Sequence, residues 1–302
     1  MSVSTLLRTL YAALLTGALL AASPATLADT KNYTVTAPDG VTLAVQEAGD
    51  PAGPAIIFIH GLLGSHLNWD AQMASPRLQR YHMITYDLRG HGLSGKPTDA
   101  AAYTQGRRWA DDLASVMAAA HAHKPVLVGW SLGGVVMSNY LEAYGDSQIA
   151  GAVYVDGVIE FKPEQIVAHP AIYRDLPAAD LKTHLDTVRD FLSLCFHTQP
   201  DRATFERLYA NAAMASWDMQ RSVMSLTVDA PAALSKVKVP LLLIYGAQDA
   251  LVHAEPTIAR AKQLDPHARS IVYAGSGHAP FLEEPARFND DLAAFMASTA
   301  PQ

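Results

Sequence analysis

Six short, continuous apolar runs recur along this chain: AIIFIHG (55–61), HMITYDLRG (82–90), KPVLVGWS (124–131), IAGAVYVDG (149–157), VPLLLIYGAQD (239–249) and RSIVYAGSGH (269–278). A strand with one wet face alternates apolar and polar side chains, so strands that are apolar throughout must be covered on both faces. A parallel sheet with helices on either side meets that condition. The intervening segments supply the helices. Trp109, Leu113, Val116, Met117 and Ala120 share one helical face, with Asp111 and Asp112 on the other side. Residues 132–144 and 284–298 also read as helices, and 254–264 more weakly. Alternating strands and helices with right-handed crossovers give an α/β protein with a doubly wound, mostly parallel sheet. Ahead of it, NYTVTAPDGVTLAVQEAG (32–49) reads as two alternating strands joined at Pro38-Asp39-Gly40, a hairpin signal.

One interval is too long for a simple crossover. Between Gly157 and about Leu234 no segment reads as a strand. Leu181, Leu185, Val188, Phe191 and Cys195 form one helical stripe, and Phe205, Leu208 and Tyr209 begin another. A structureless loop of that length is rare in a compact domain. The sequence therefore predicts a core from 29–157 and 235–302, with a helical insertion, 158–234, between two late strands.

The N-terminus is different in kind. Arg8 is followed by TLYAALLTGALLAASPATLA, an uncharged run whose apolar core, Thr9 to Ala22, is too short to span a bilayer and suits a signal peptide. Thr26 and Ala28 place cleavage before Asp29, with Ser23 and Ala25 marking a second site. The expectation is an exported protein, periplasmic or secreted, with no stable membrane insertion once residues 1–28 are removed; an uncleaved anchor is the alternative. Cys195 is the only cysteine in the chain, so no internal disulfide forms, and its apolar neighbours in FLSLCF point to buried packing. The formal net charge of −7 is spread without long runs, which leaves no nucleic-acid footprint.

Ligands bind beyond the carboxyl ends of strands in open parallel sheets, and here those ends hold His60-Gly61-Leu62, Asp87, Ser131, Asp156, Asp249 and His278. Gly129-Trp130-Ser131-Leu132-Gly133 fits G-x-S-x-G between an apolar strand and a helix, the context of a nucleophile elbow. So sharp a turn strains the serine backbone and excludes side chains at 129 and 133. Without that context the pentapeptide would be an ordinary helix N-cap. A serine hydroxyl needs a base to take its proton, and His278 follows the last strand. The base needs an orienting acid: Asp249 ends the preceding strand, and Asp156, after the nucleophile strand, is the rival. Asp87 reads as holding its own loop together. Backbone N–H groups of Leu132 and of Leu62 are the candidate oxyanion donors, with His60 and Gly61 shaping the latter's turn.

IFIHGLLGSHLNWD, ITYDLRGHGLSGKP, VLVGWSLGGVV, LLLIYGAQDALV and GSGHAPFLEEPARF together resemble, in order and spacing, the recurring blocks of the serine-nucleophile branch of the α/β-hydrolase superfamily, over roughly residues 32–298. The resemblance implies a Ser131–Asp249–His278 triad, an oxyanion hole of Leu62 and Leu132, and a cap, or lid, at 158–234. Haloalkane dehalogenases and epoxide hydrolases carry an aspartate where Ser131 stands, and epoxide hydrolases favour a proline where Leu62-Leu63 follows the His-Gly turn. HGLLGS is less glycine-rich than the turn of carbon–carbon bond hydrolases. GWSLGG is similar to the bacterial non-haem haloperoxidases, esterase-like enzymes with perhydrolase side activity.

The inserted segment contributes Tyr173, Phe191, Met214, Trp217 and Met224 among its apolar residues. Trp130, Trp217 and Met214 are the expected pocket residues, and the expected substrate is a small apolar ester. The main expectation is an exported carboxylesterase-like serine hydrolase working through an acyl-enzyme. A lactonase, carbon–carbon hydrolase or perhydrolase on the same triad is one alternative; a ligand-binding or sensor protein of the same fold is the other. With no metal-ligand cluster, phosphate loop or dinucleotide fingerprint in the sequence, no cofactor and no metal are expected.

Overall fold

The structure is a computed structural model and describes residues 30–299; the candidate leader at 1–28 lies outside them. The apolar runs form one eight-stranded sheet in the order β1-β2-β4-β3-β5-β6-β7-β8. The strands are β1 (Lys31–Thr36), β2 (Thr42–Gly49), β3 (Ala55–Ile59), β4 (His82–Tyr86), β5 (Val126–Trp130), β6 (Gly151–Val155), β7 (Leu241–Gly246) and β8 (Arg269–Tyr273). β2 pairs antiparallel with β1 and β4, and every other pairing is parallel.

Every residue of β3, β4, β5, β6 and β7 is buried, the physical reason these segments are apolar without alternation. β8 departs from that pattern. It is the outermost strand, most of its residues are partly or fully exposed, and Val272 is 48% exposed. Its apolar composition resembles that of the central strands, although only one neighbour covers it.

Helices Gly106–Ala119 and Leu132–Tyr144 pack against each other, and Ala254–Leu264 and Pro285–Thr299 follow β7 and β8. Between β6 and β7 the chain folds into five α-helices from Pro170–Asp175 to Ala230–Leu234. This inserted segment is tied to the loop after β7: Val167 N–H donates to Leu251 O (3.0 Å), and His253 N–H donates to Gln165 O (2.8 Å). Among the described residues no helix is long and apolar enough to cross a membrane.

The strand registers make the sheet's carboxyl edge level. Ile59 of β3 lies opposite Gly129 of β5, and Trp130 lies opposite Val155 of β6. Ser131 N–H then donates to Val155 O (3.0 Å) and Asp156 N–H to Ile244 O (2.8 Å). Beneath that edge runs an aromatic column: Phe58 to Trp69 at 4.9 Å between ring centroids, Trp69 to Phe281 at 4.3 Å, and Phe281 to Trp130 at 5.1 Å. Phe58 is fully buried at the foot of this column. Phe58→Ala is expected to cost about 3–5 kcal/mol, seen as a lower urea midpoint at unchanged slope; an unchanged midpoint would mean the column carries no stability.

Candidate active site

Ser131 joins β5 to the helix Leu132–Tyr144 with φ 52° and ψ −114°, a backbone conformation rare for any residue with a Cβ. The surrounding glycines permit it. A Cβ at Gly129 would lie 2.6 Å from Gly133 O, and one at Gly133 would lie 2.4 Å from Ile59 O. A Cβ at Gly61 would come within 2.9 Å of Ser131 Cβ, so the turn after β3 abuts the serine. Ser131 therefore stands at the N-terminus of a buried helix, where the helix dipole favours negative charge.

The turn after β3 is held by His60. Its Nε2 accepts Leu88 N–H (2.9 Å), which leaves the ring proton on Nδ1 to be donated to Gly61 O (2.7 Å). Burial pushes this imidazole down to about 4, so it stays neutral and bridges the turns after β3 and β4. Leu62 N–H has no acceptor among the described residues, and Leu132 N–H belongs to the first residue of its helix. Leu62, Ser131 and Leu132 line one cavity.

Asp87 organises the loop after β4. Its Oδ1 accepts both the backbone N–H (2.7 Å) and ring Nδ1–H (2.8 Å) of His66, and Oδ2 accepts Leu93 N–H (2.7 Å). Burial alone would push this carboxyl up, but the His66 hydrogen bonds and charge hold it down at about 2. The same hydrogen bond holds His66 above its ordinary value.

His278 follows β8, and its Nδ1–H donates to Asp249 Oδ2 at 2.7 Å. The sequence left Asp249 and Asp156 as rival partners; in the structure Asp249 makes this bond. Asp249 Oδ1 is fixed by the N–H groups of Leu251 (2.7 Å) and Val252 (3.0 Å). His278 Nε2 is buried without a hydrogen-bond partner; it is not bonded to Ser131 Oγ. The His278 ring lies 5.7 Å from that of Trp130, the residue before Ser131.

The expected pocket residues are elsewhere. Trp130 is buried under the site: its indole N–H donates to His278 O (2.6 Å) and its ring packs on Phe281. It anchors the His278 loop and does not line the cavity. Trp217 donates to Ala178 O (3.0 Å) and packs on His184, and Met214 is 48% exposed; neither lines the cavity. The cavity over Ser131 is walled by Phe161, Ile166, Tyr173, Phe191, Val223 and Met224 of the inserted segment, and by Leu251 and Val252 beside Asp249. Of these, Phe191 belongs to the helical stripe read from the sequence; no single periodicity marks the set, because its members come from separate short helices and loops brought together by folding. Glu283 ties the segment to the His278 loop, accepting Gly277 N–H (2.8 Å) and Thr198 N–H (2.7 Å). Cys195 is buried, and burial pushes its thiol well up, as befits a packing residue.

Two measurements check this local physics. Gly133→Ala forces a methyl against the Ile59 backbone, with an expected loss of about 1–3 kcal/mol; wild-type stability would mean the elbow has slack. For Asp87, the depressed carboxyl stabilises the fold above its unfolded value of about 4, and that contribution is lost as pH falls toward 2. His66, raised by folding, contributes below about 6.5 and loses its contribution as pH climbs through its folded value. Asp87→Asn sets an amide against one of the donors. The wild-type advantage is expected to be about 2–3 kcal/mol near pH 5–6, closing toward pH 2 and narrowing in alkali; a pH-independent gap would contradict the ion pair.

A family model described as the alpha/beta hydrolase family matches residues 56–291. Among solved structures, a Burkholderia cenocepacia protein assigned as an aryl esterase is 71% identical, with a TM-score of 0.88 over 89% of this chain and 99% of its own. An esterase from Rhodococcus sp. is 25% identical, with a TM-score of 0.80 over 89% and 99%. A bifunctional esterase/perhydrolase of Acinetobacter calcoaceticus is 28% identical over 87% of this chain and 99% of its own length. From the sheet order, the turn at Ser131 and this match, the chain belongs to the alpha/beta hydrolase family.

Proposed function

We propose that this protein is a serine esterase acting on carboxylic esters with an apolar, aryl or short acyl group. The observation that carries the reading is the His278–Asp249 contact of 2.7 Å, which leaves the other ring nitrogen buried, without a partner and beside the Trp130-Ser131 turn. In this mechanism His278 Nε2 takes the Ser131 proton as Oγ attacks the ester carbonyl. The Ser131 and His278 side chains close to hydrogen-bonding distance in the substrate complex, since such bonds are often long without substrate. Asp249 holds the tautomer and stabilises the imidazolium. The N–H groups of Leu62 and Leu132 receive the oxyanion. His278 then protonates the leaving alcohol, and water, activated in turn by His278, cleaves the acyl-enzyme.

The apolar cavity lining supports the substrate class, and so does the aryl-esterase assignment of the 71% identical Burkholderia protein. The inserted segment, roofing that cavity, serves as the cap. The uncharged run after Arg8 supports export. A second reading, peracid formation from the same acyl-enzyme with hydrogen peroxide in place of water, is favoured by the Acinetobacter esterase/perhydrolase.

The test is p-nitrophenyl and phenyl ester hydrolysis, with intact mass after fluorophosphonate treatment. One adduct is expected on the wild type and none on Ser131→Ala, whose kcat falls roughly 10⁴–10⁶-fold, with His278→Ala comparable. Activity falls on acidification, because a protonated Nε2 accepts nothing. Turnover that survives Ser131→Ala would overturn the mechanism; folded wild type with neither adduct nor turnover would make a ligand-binding role the better reading. Peracid formed from acetate and peroxide would establish the second activity.

A further inference from the structure

Asp156 is a second carboxyl at the same strand edge, and the ester-cleavage mechanism above gives it no task. Its backbone is held at φ 42° and its side chain is fully buried. Oδ1 accepts Gly246 N–H at 2.8 Å, while Oδ2 faces no N–H or hydroxyl donor. What it faces is Asp249. Asp156, Asp249 and His278 each present a ligand-type atom within 4.8 Å of the others, which sets the two carboxyls side by side.

Two ionised carboxylates in contact would set lone pair against lone pair in a dry site; one proton between them removes both penalties. The proton belongs on Asp156. Asp249 accepts three N–H donors, from Leu251, Val252 and His278, and Asp156 accepts one. The other groups that bear on the pair do not favour a second charge. Glu283, beyond β8, adds negative field, while the Tyr245 phenol of β7 and the Cys195 thiol of the inserted segment are neutral. Burial and then the Asp249 charge push the Asp156 carboxyl well above its usual range. A cation shared by the three side chains is the competing arrangement, but His278 Nδ1 already donates to Asp249 and has no lone pair to offer.

We propose that Asp156 is a neutral carboxylic acid whose O–H donates to the Asp249 carboxylate, making it a positioning residue that fixes Asp249 against His278 and disperses its charge. Its effect on turnover rests on the esterase reading; its protonation does not.

The test separates the two. In the infrared difference spectrum of wild type minus Asp156→Asn at neutral pH, the carbonyl stretch of a buried carboxylic acid is expected. Its absence overturns the proposal whatever the protein hydrolyses. Asn at 156 keeps an acceptor for Gly246 and a donor for Asp249, so D156N is expected to hold kcat/KM on a phenyl ester within about threefold, with the acid limb of its pH profile unmoved. Asp156→Ala removes the donor: kcat should fall roughly tenfold or more at unchanged KM, with the acid limb displaced to higher pH as the less dispersed Asp249 charge strengthens its hold on the imidazolium. An acid limb in D156N displaced to lower pH by about one unit would signal the loss of a real charge and sink the proposal. So would a folded D156A with the wild-type profile, or a stoichiometric divalent cation lost from D156N. A wild type with no esterase activity would overturn the catalytic reading alone and leave the infrared result to decide the proton.

Discussion

The site depends on a backbone turn that leaves no space for side chains around it. β5 must stop, reverse its sense and become a helix within one residue, and it does so with Ser131 at positive φ. That conformation survives because Gly129, Gly133 and Gly61 let three stretches of backbone approach one another to distances no Cβ would tolerate. The strain is held in place by what surrounds it: β3 on one side, β6 on the other, and a helix whose first ten residues are buried. Everything chemical about the site follows from this geometry, since it exposes one hydroxyl at a helix N-terminus and places the β3 turn against it.

The polar side of the site is organised by neutral and charged groups in alternation. His60, kept neutral by burial, links two turns without carrying charge into the core. Asp87, ionised, gathers three N–H donors and fixes the next loop. Asp249 bonds the His278 ring and has the Asp156 carboxyl within 4.8 Å. Buried polar groups are tolerable only where each finds a partner of the right kind, and here the partners are mostly backbone amides of the strand-end loops.

Much of this was readable from residues. The strands betray themselves by being apolar without alternation, and the strand-end residues by their chemistry, so the sheet, the helix Leu132–Tyr144 and the pairing of His278 with Asp249 follow from pattern. The wall of the cavity did not. Trp130 was expected to meet substrate, yet its ring is buried against Phe281 and its indole N–H donates to the carbonyl of His278. Trp217, at the start of a short helix, packs on His184, while Met214 lies in the turn before that helix and faces water. Which face of a short helix looks inward is decided by tertiary packing, and composition holds no record of it. The outer position of β8 was hidden for the same reason: its residues resemble those of the buried strands, and only the strand order reveals that one flank is open.

The hydrogen bonds that join Gln165 and Val167 to the loop carrying Asp249, and the Glu283 bridge from Thr198 to Gly277, have a bearing on how such a protein can diversify. The segment that shapes the cavity shares its moorings with the loops that carry the acid and the imidazole. It is not an interchangeable module. A foreign segment grafted between β6 and β7 would have to bring the same backbone anchor points with it, or selectivity would change only at the expense of alignment. Drift in specificity is then most readily accommodated at Tyr173, Val223 and Met224, wall positions that take no part in those hydrogen bonds.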